Sequence, residues 1–183
     1  MAIIPINVYG DKILRQKSVL VKEKDMDKLI PFIKNMWDTM HKANGIGLAA
    51  NQVGSDKSIF IVDVSDVEGY EKIKPVVFIN PKIVEFSDEK KIIEEGCLSL
   101  PNLRAEVVRP KLVKIVYYDT DLNEKSIEAD ELFARVIQHE YDHLQGTYFT
   151  DRVSEEMKKQ LKTGLQKIKN RDIEIDYSIT EKK

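Results

Sequence analysis
Leu29, Phe32, Ile33, Met36, Trp37 and Met40 recur at three- and four-residue spacing, which predicts a helix with one apolar face in the core. Pro31 fits only the first turn of such a helix, so its start is placed between Asp27 and Ile30, and Asn44-Gly45 ends it. Beyond residue 54 the period shortens. Residues 58–64 and 76–79 read as strands, the second stopped by Asn80-Pro81. Residues 83–86, 91–94, 105–108 and 111–118 follow as short β segments, and the turn residues between them point to antiparallel pairing. The helical period returns over 131–144, where Leu132, Val136, Ile137 and Leu144 form the apolar side and Gly146 the stop. Ser154 caps a last helix through about Asn170, with Glu155 and Glu156 at its positive end. Residues 171–183 read as a frayed, flexible tail, which leaves 1–170 as a single domain of the α+β class.

Composition narrows the function classes. The chain has 183 residues, 42% apolar and 33% charged, as in ordinary globular proteins. A net charge of −2 gives no global reason to expect DNA or a membrane as partner. The single cysteine, Cys97, allows no intramolecular disulfide, which suits a reducing compartment. The N-terminal apolar run is broken by Pro5 and lacks a basic flank, so it is neither a signal peptide nor a membrane span. A cytoplasmic protein is expected, or an organellar one if a transit peptide has been removed.

Residues 45–50, GIGLAA, fit the glycine fingerprint of a dinucleotide-binding turn. That turn needs a strand before it and a helix after it, so that phosphate meets the helix N-terminus. Here the helix comes first and the strand second. Nucleotide binding is therefore excluded, and Gly45 and Gly47 must serve some other close backbone approach.

The strongest chemical signal is QHEYDH at 138–143, an H-E-x-x-H pattern on a predicted helix. His139 and His143 lie a turn apart on one face and can grip one metal ion, and Glu140 can reach a metal-activated water as general base. A catalytic site needs a third ligand. His41 is the other histidine but sits at the end of the first helix. The metzincin pattern fails because position 149 is Phe149 rather than histidine, and Glu155 or Glu156 would have to be forced into a carboxylate role. Cys97, in EGCLSLP with glycine before it and proline after it, reads as part of an irregular turn, and a thiolate with two imidazoles makes a soft site with an open position.

Three motifs stand in order: GIGLAANQ at 45–52, EGCLS at 95–99 and QHEYDHLQG at 138–146. Together they resemble peptide deformylase over nearly the whole chain, in its shorter bacterial form. The resemblance implies antiparallel or mixed sheets packed around a central H-E-x-x-H helix, with a helix at either end. It implies removal of the N-terminal formyl group from formyl-methionyl nascent peptides, with release of formate. Cys97, His139 and His143 become the metal ligands and Glu140 the catalytic acid/base. Ferrous iron is the implied physiological metal, with zinc, nickel or cobalt able to replace it, although iron is not the ion such ligands bind most strongly. Gln52 and the Leu98 backbone N–H are the implied oxyanion donors.

The same resemblance places Gly45, Gly47 and Gly96 along the substrate backbone, with Gly47 bonding it like an added strand. It places Ile46, Leu132 and Val136 around the methionine side chain and Arg104 near the peptide. Glu95 and Arg109 become a structural ion pair. Arg135 falls at a usually apolar pocket position, where it is expected to snorkel to the rim. Lys158, Lys159, Lys162, Lys167 and Lys169 on the last helix are a solvated face or a ribosome-docking face. A monomer is expected. A zinc endopeptidase and a non-catalytic, metal-stabilised ribosome-binding module are the competing readings.

Overall fold
The structure, a computed structural model, describes residues 2–182. Helix α1 (Met26–Lys42) is followed by strands β1 (Gly47–Ala49), β2 (Ile59–Val62), β3 (Val76–Phe86), β4 (Lys90–Cys97), β5 (Leu100–Pro110), β6 (Leu112–Tyr118) and β7 (Glu124–Asp130). Helices α2 (Glu131–Leu144) and α3 (Glu155–Asn170) complete the chain. One antiparallel sheet runs in the order β1-β2-β3-β6-β7, and β4 and β5 form a separate two-stranded hairpin. This is the expected α+β class with antiparallel sheets and three main helices.

Alternation along the strands decides which helix lies on which face. Ile59, Ile61 and Ile79 join Leu29, Ile33, Met36 and Met40 of α1 in one core. Phe60, Val62 and Phe78 point the other way and join Phe133, Val136 and Ile137 of α2. β2 is thus buried on both faces, and the main sheet is held between α1 and α2. α3 packs on β5, where Leu161 and Ile168 meet Leu100, Ala105 and Val107.

Four local expectations are corrected. Asn80-Pro81 does not stop β3: the strand bulges between Ile79 and Lys82 and runs on to Phe86. Asn80 takes a left-handed φ of 49°, and its side-chain amide bonds the N–H and C=O of Val21. Pro31 lies in the second turn of α1, on its exposed side, where the lost backbone bond faces water. β7 was not foreseen, because EKSIEAD is mostly charged, yet it pairs with β6 along its length as an edge strand.

The tail is the fourth correction. Over residues 171–182 the chain is tied down rather than frayed. Ile179 forms a parallel bridge with Ile6, and Arg171 bonds Asp11 and the Thr180 carbonyl. Lys183 lies outside the described residues.

Candidate active site
α2 carries the H-E-x-x-H pattern through the interior, and its polar residues are answered from other elements. Gln138 Nε2 donates to the Pro110 carbonyl at 2.9 Å, and Asn51 Nδ2 to the His143 carbonyl at 2.6 Å. Asp142 accepts from Arg109 Nη1 at 2.6 Å and pairs with Arg152. These partners let a helix with a charged motif sit inside a core.

His139 and His143 stand on one face with ring centroids 5.0 Å apart. His139 Nδ1 lies 2.9 Å from Glu95 Oε2, which fixes that ring and leaves Nε2 for another partner. Cys97 arrives from the far end of β4, where the register shifts after Gly96, and its Sγ lies 3.1 Å from His143 Nε2. The donor atoms of Cys97, His139 and His143 all lie within 4.8 Å of one another. One thiolate and two imidazoles gathered this closely form a donor set that suits a divalent ion. It is the only such group among the described residues. His41 instead pairs with Asp63 on the surface, and Glu155 pairs with Lys158 at the exposed start of α3.

Glu140 is buried beside these donors, and its Oε2 has no hydrogen-bond partner among the described residues. Burial raises its pKa to about 7; the charge on His139 works against this and that on Glu95 with it. Gln52 accepts from the Ala49 N–H at 2.8 Å and points its Nε2 at Ser99 Oγ, 3.1 Å away, and toward Cys97 Sγ at 3.6 Å.

Gly45 and Gly47 have a packing role that the sequence reading did not contain. A Cβ on Gly47 would lie 2.6 Å from Glu140 Oε1 and 2.8 Å from Val136 Cγ1. One on Gly45 would lie 2.8 Å from Leu98 Cδ1. The bare backbone makes room for Glu140 and Leu98, whatever else passes along it.

These groups open on a cleft of about 950 Å³. Gly45, Ile46, Gly47, Gln52, Gly96, Cys97, Leu98, Arg104, Leu132, Val136, His139 and Glu140 all line it, and His143 lies behind Cys97, out of the lining. Arg104 is exposed near Glu94, at 3.7 Å. The Glu95–Arg109 ion pair is present, with nitrogen–oxygen distances of 2.6 and 2.9 Å. Arg135 does not snorkel to a rim. It is buried, with Nη1 2.7 Å from both Glu95 Oε1 and the Val107 carbonyl and Nη2 2.6 Å from the Lys91 carbonyl. A charged side chain at an apolar-looking position is stable here because a carboxylate and two carbonyls satisfy it.

Two parts of the site escaped the sequence reading. Asp142 has no visible role in the motif, since its partners Arg109 and Arg152 lie on other elements, 33 and 10 residues away. Glu174, Ile175, Asp176 and Tyr177 line the cleft from the tail. A signal was available there: Ile173, Ile175, Tyr177 and Ile179 alternate with polar residues, the period of a half-buried extended segment.

The polypeptide deformylase family model matches residues 3–159. A peptide deformylase of Chlorobium phaeobacteroides is 43% identical over 177 residues, covering 97% of this chain and 95% of that protein. Among solved structures, a plant peptide deformylase superposes with a TM-score of 0.85 at 37% identity, covering 92% of this chain and 90% of that one. The Ehrlichia chaffeensis peptide deformylase superposes with a TM-score of 0.84 at 35% identity, covering 93% and 97%.

Proposed function
The chain belongs to the polypeptide deformylase family, and from that premise we propose that Cys97, His139 and His143 hold its metal ion and that Glu140 moves the proton. The protein is a metal-dependent hydrolase that removes the N-terminal formyl group from nascent polypeptides. The observation that carries the residue assignment is the gathering of three soft donor atoms within 4.8 Å beside a buried carboxyl with an unpartnered oxygen.

A divalent ion held by Cys97, His139 and His143 would supply Lewis acidity at the floor of the cleft. Glu140, buried beside these donors with an unpartnered oxygen, accepts a proton from the attacking water and returns it to the leaving amine nitrogen. The Gln52 amide and the Leu98 N–H donate to the oxygen of the formyl carbon as charge develops on it. β1 is the outer strand of the main sheet, and its Gly47 can take the substrate backbone as an added strand. Gly45, Gly96 and Arg104 flank that path, while Ile46, Leu132 and Val136 enclose the methionine side chain.

Ferrous iron is the ion we assign, with zinc, nickel and cobalt as replacements. Anaerobically prepared, iron-loaded protein should release formate from formyl-Met-Ala-Ser, and a chelator should stop it. Absence of formate with iron bound would remove the assignment.

The lysines of α3 support a second contact, with ribosomal RNA near the emerging peptide. Reversing the charge of Lys158, Lys159 and Lys162 should weaken ribosome co-sedimentation, and unchanged sedimentation would count against it. A cytoplasmic monomer completes the reading, checked by a light-scattering mass of one chain. No helix among the described residues is long and apolar enough to cross a membrane.

A further inference from the structure
The turn that carries Cys97 and Leu98 is held by segments far from it in the chain. β4 and β5 close at the pair Cys97 and Leu100, so Leu98 and Ser99 are the two central residues of a tight hairpin turn. Connecting segments of this kind ordinarily run over the surface, where water satisfies the backbone. Here the Ser99 carbonyl accepts from the Tyr9 N–H at 2.9 Å, and the Leu98 carbonyl accepts from the Tyr177 hydroxyl at 2.8 Å. The Tyr177 ring packs with Leu98 and Ile179 against the α1 core. Its segment is fixed on both sides, by Asn102 Nδ2 on the Glu174 carbonyl at 3.1 Å and by the Ile6–Ile179 bridge.

We infer that Tyr177 is a positioning residue for the deformylation reaction: its hydroxyl fixes the Leu98 residue so that the Leu98 N–H points steadily at the developing oxyanion. The inference rests on the assignment of Leu98 as an oxyanion donor. A donor gains most in the transition state, so loosening it should cost turnover rather than binding. Among the described residues the hydroxyl's hydrogen bond goes to the Leu98 carbonyl and not to a metal donor or Glu140, so loss of the bond should leave the metal centre as it was. It also gives the C-terminal segment a reason to lie along the cleft that a merely trimmed tail would lack.

The test is Tyr177→Phe in the full chain, assayed with formyl-Met-Ala-Ser and examined again with cobalt in the site. The variant should lose about five- to tenfold in kcat, with KM within about twofold. Its cobalt absorption spectrum should match that of the parent. Arg171→Ala, which removes the guanidinium bonds to Asp11 and to the Thr180 carbonyl but leaves the Thr180–Asp11 bond and the Ile6 bridge, should give a smaller loss of the same kind. Unchanged kcat in Tyr177→Phe, a loss carried by KM alone, or an altered cobalt spectrum would each overturn the inference. If the parent itself releases no formate with iron bound, the assignment of the site fails instead.

Discussion
Glu140→Gln should lower kcat/KM for formyl-Met-Ala-Ser by roughly 10³-fold, the size expected when a positioned acid/base is removed. Gln has the same shape but cannot accept the proton. Metal content should stay at one ion per chain, since the three donors are untouched. Thermal stability should hold or rise slightly, because a buried carboxyl with a partnerless oxygen is replaced by a neutral amide. This combination separates a catalytic loss from an unfolded protein. Gly47→Ala should reproduce part of the defect, about 10²-fold, because its new methyl meets Glu140 Oε1 and Val136. Steady-state formate release, metal analysis and a melting curve give all three readings. A Glu140→Gln protein as active as the parent would remove Glu140 from the reaction.

The largest stability effect should come from Glu95→Ala. Glu95 sits among Arg109, Arg135 and His139, all buried. Burial works to raise its pKa, but hydrogen bonds from His139 and Arg109 outweigh this and hold it well below the usual carboxylate range. Removing it strands two guanidinium groups in the interior, at a cost of about 3–5 kcal/mol. In a chain of this size that is a fall in Tm of roughly 6–20 °C. His139 also loses the partner on its Nδ1, so metal affinity should fall by about 10- to 100-fold. The sign of the pH dependence follows from the depressed pKa. The stabilisation is complete above the ordinary carboxylate pKa and shrinks as pH falls from there toward the value Glu95 has in the folded chain. The gap in Tm between parent and variant should therefore stay constant in neutral and mildly acid buffer and narrow only in stronger acid. A fall of less than about 2 °C at neutral pH would mean that Asp142 and the carbonyls already satisfy both arginines.

Much of this protein is legible along the chain, because helices and caps are local. The α2 boundaries, the Ser154 cap and the end of α3 follow from spacing within a few residues. The His139–His143 pair follows from the helical period alone. Helix-before-strand order around Gly45 and Gly47 rules out a nucleotide turn without any knowledge of the fold. The motif resemblance adds Cys97, which spacing could only offer as a candidate. What the chain could not state is which distant groups meet. Arg135 looks like a pocket-rim residue until Glu95, Val107 and Lys91 are seen around it. Gly47 looks like a glycine needed for substrate alone until the Glu140 carboxyl is found packed against it as well. The last residues look frayed until Ile6 pairs with Ile179 and Tyr177 reaches Leu98. A helix or a cap is encoded by its neighbours in sequence, so its pattern is visible there. A buried ion pair or a hydrogen bond across the chain has no period, and only the packed fold decides which partner removes the cost of burying a charge.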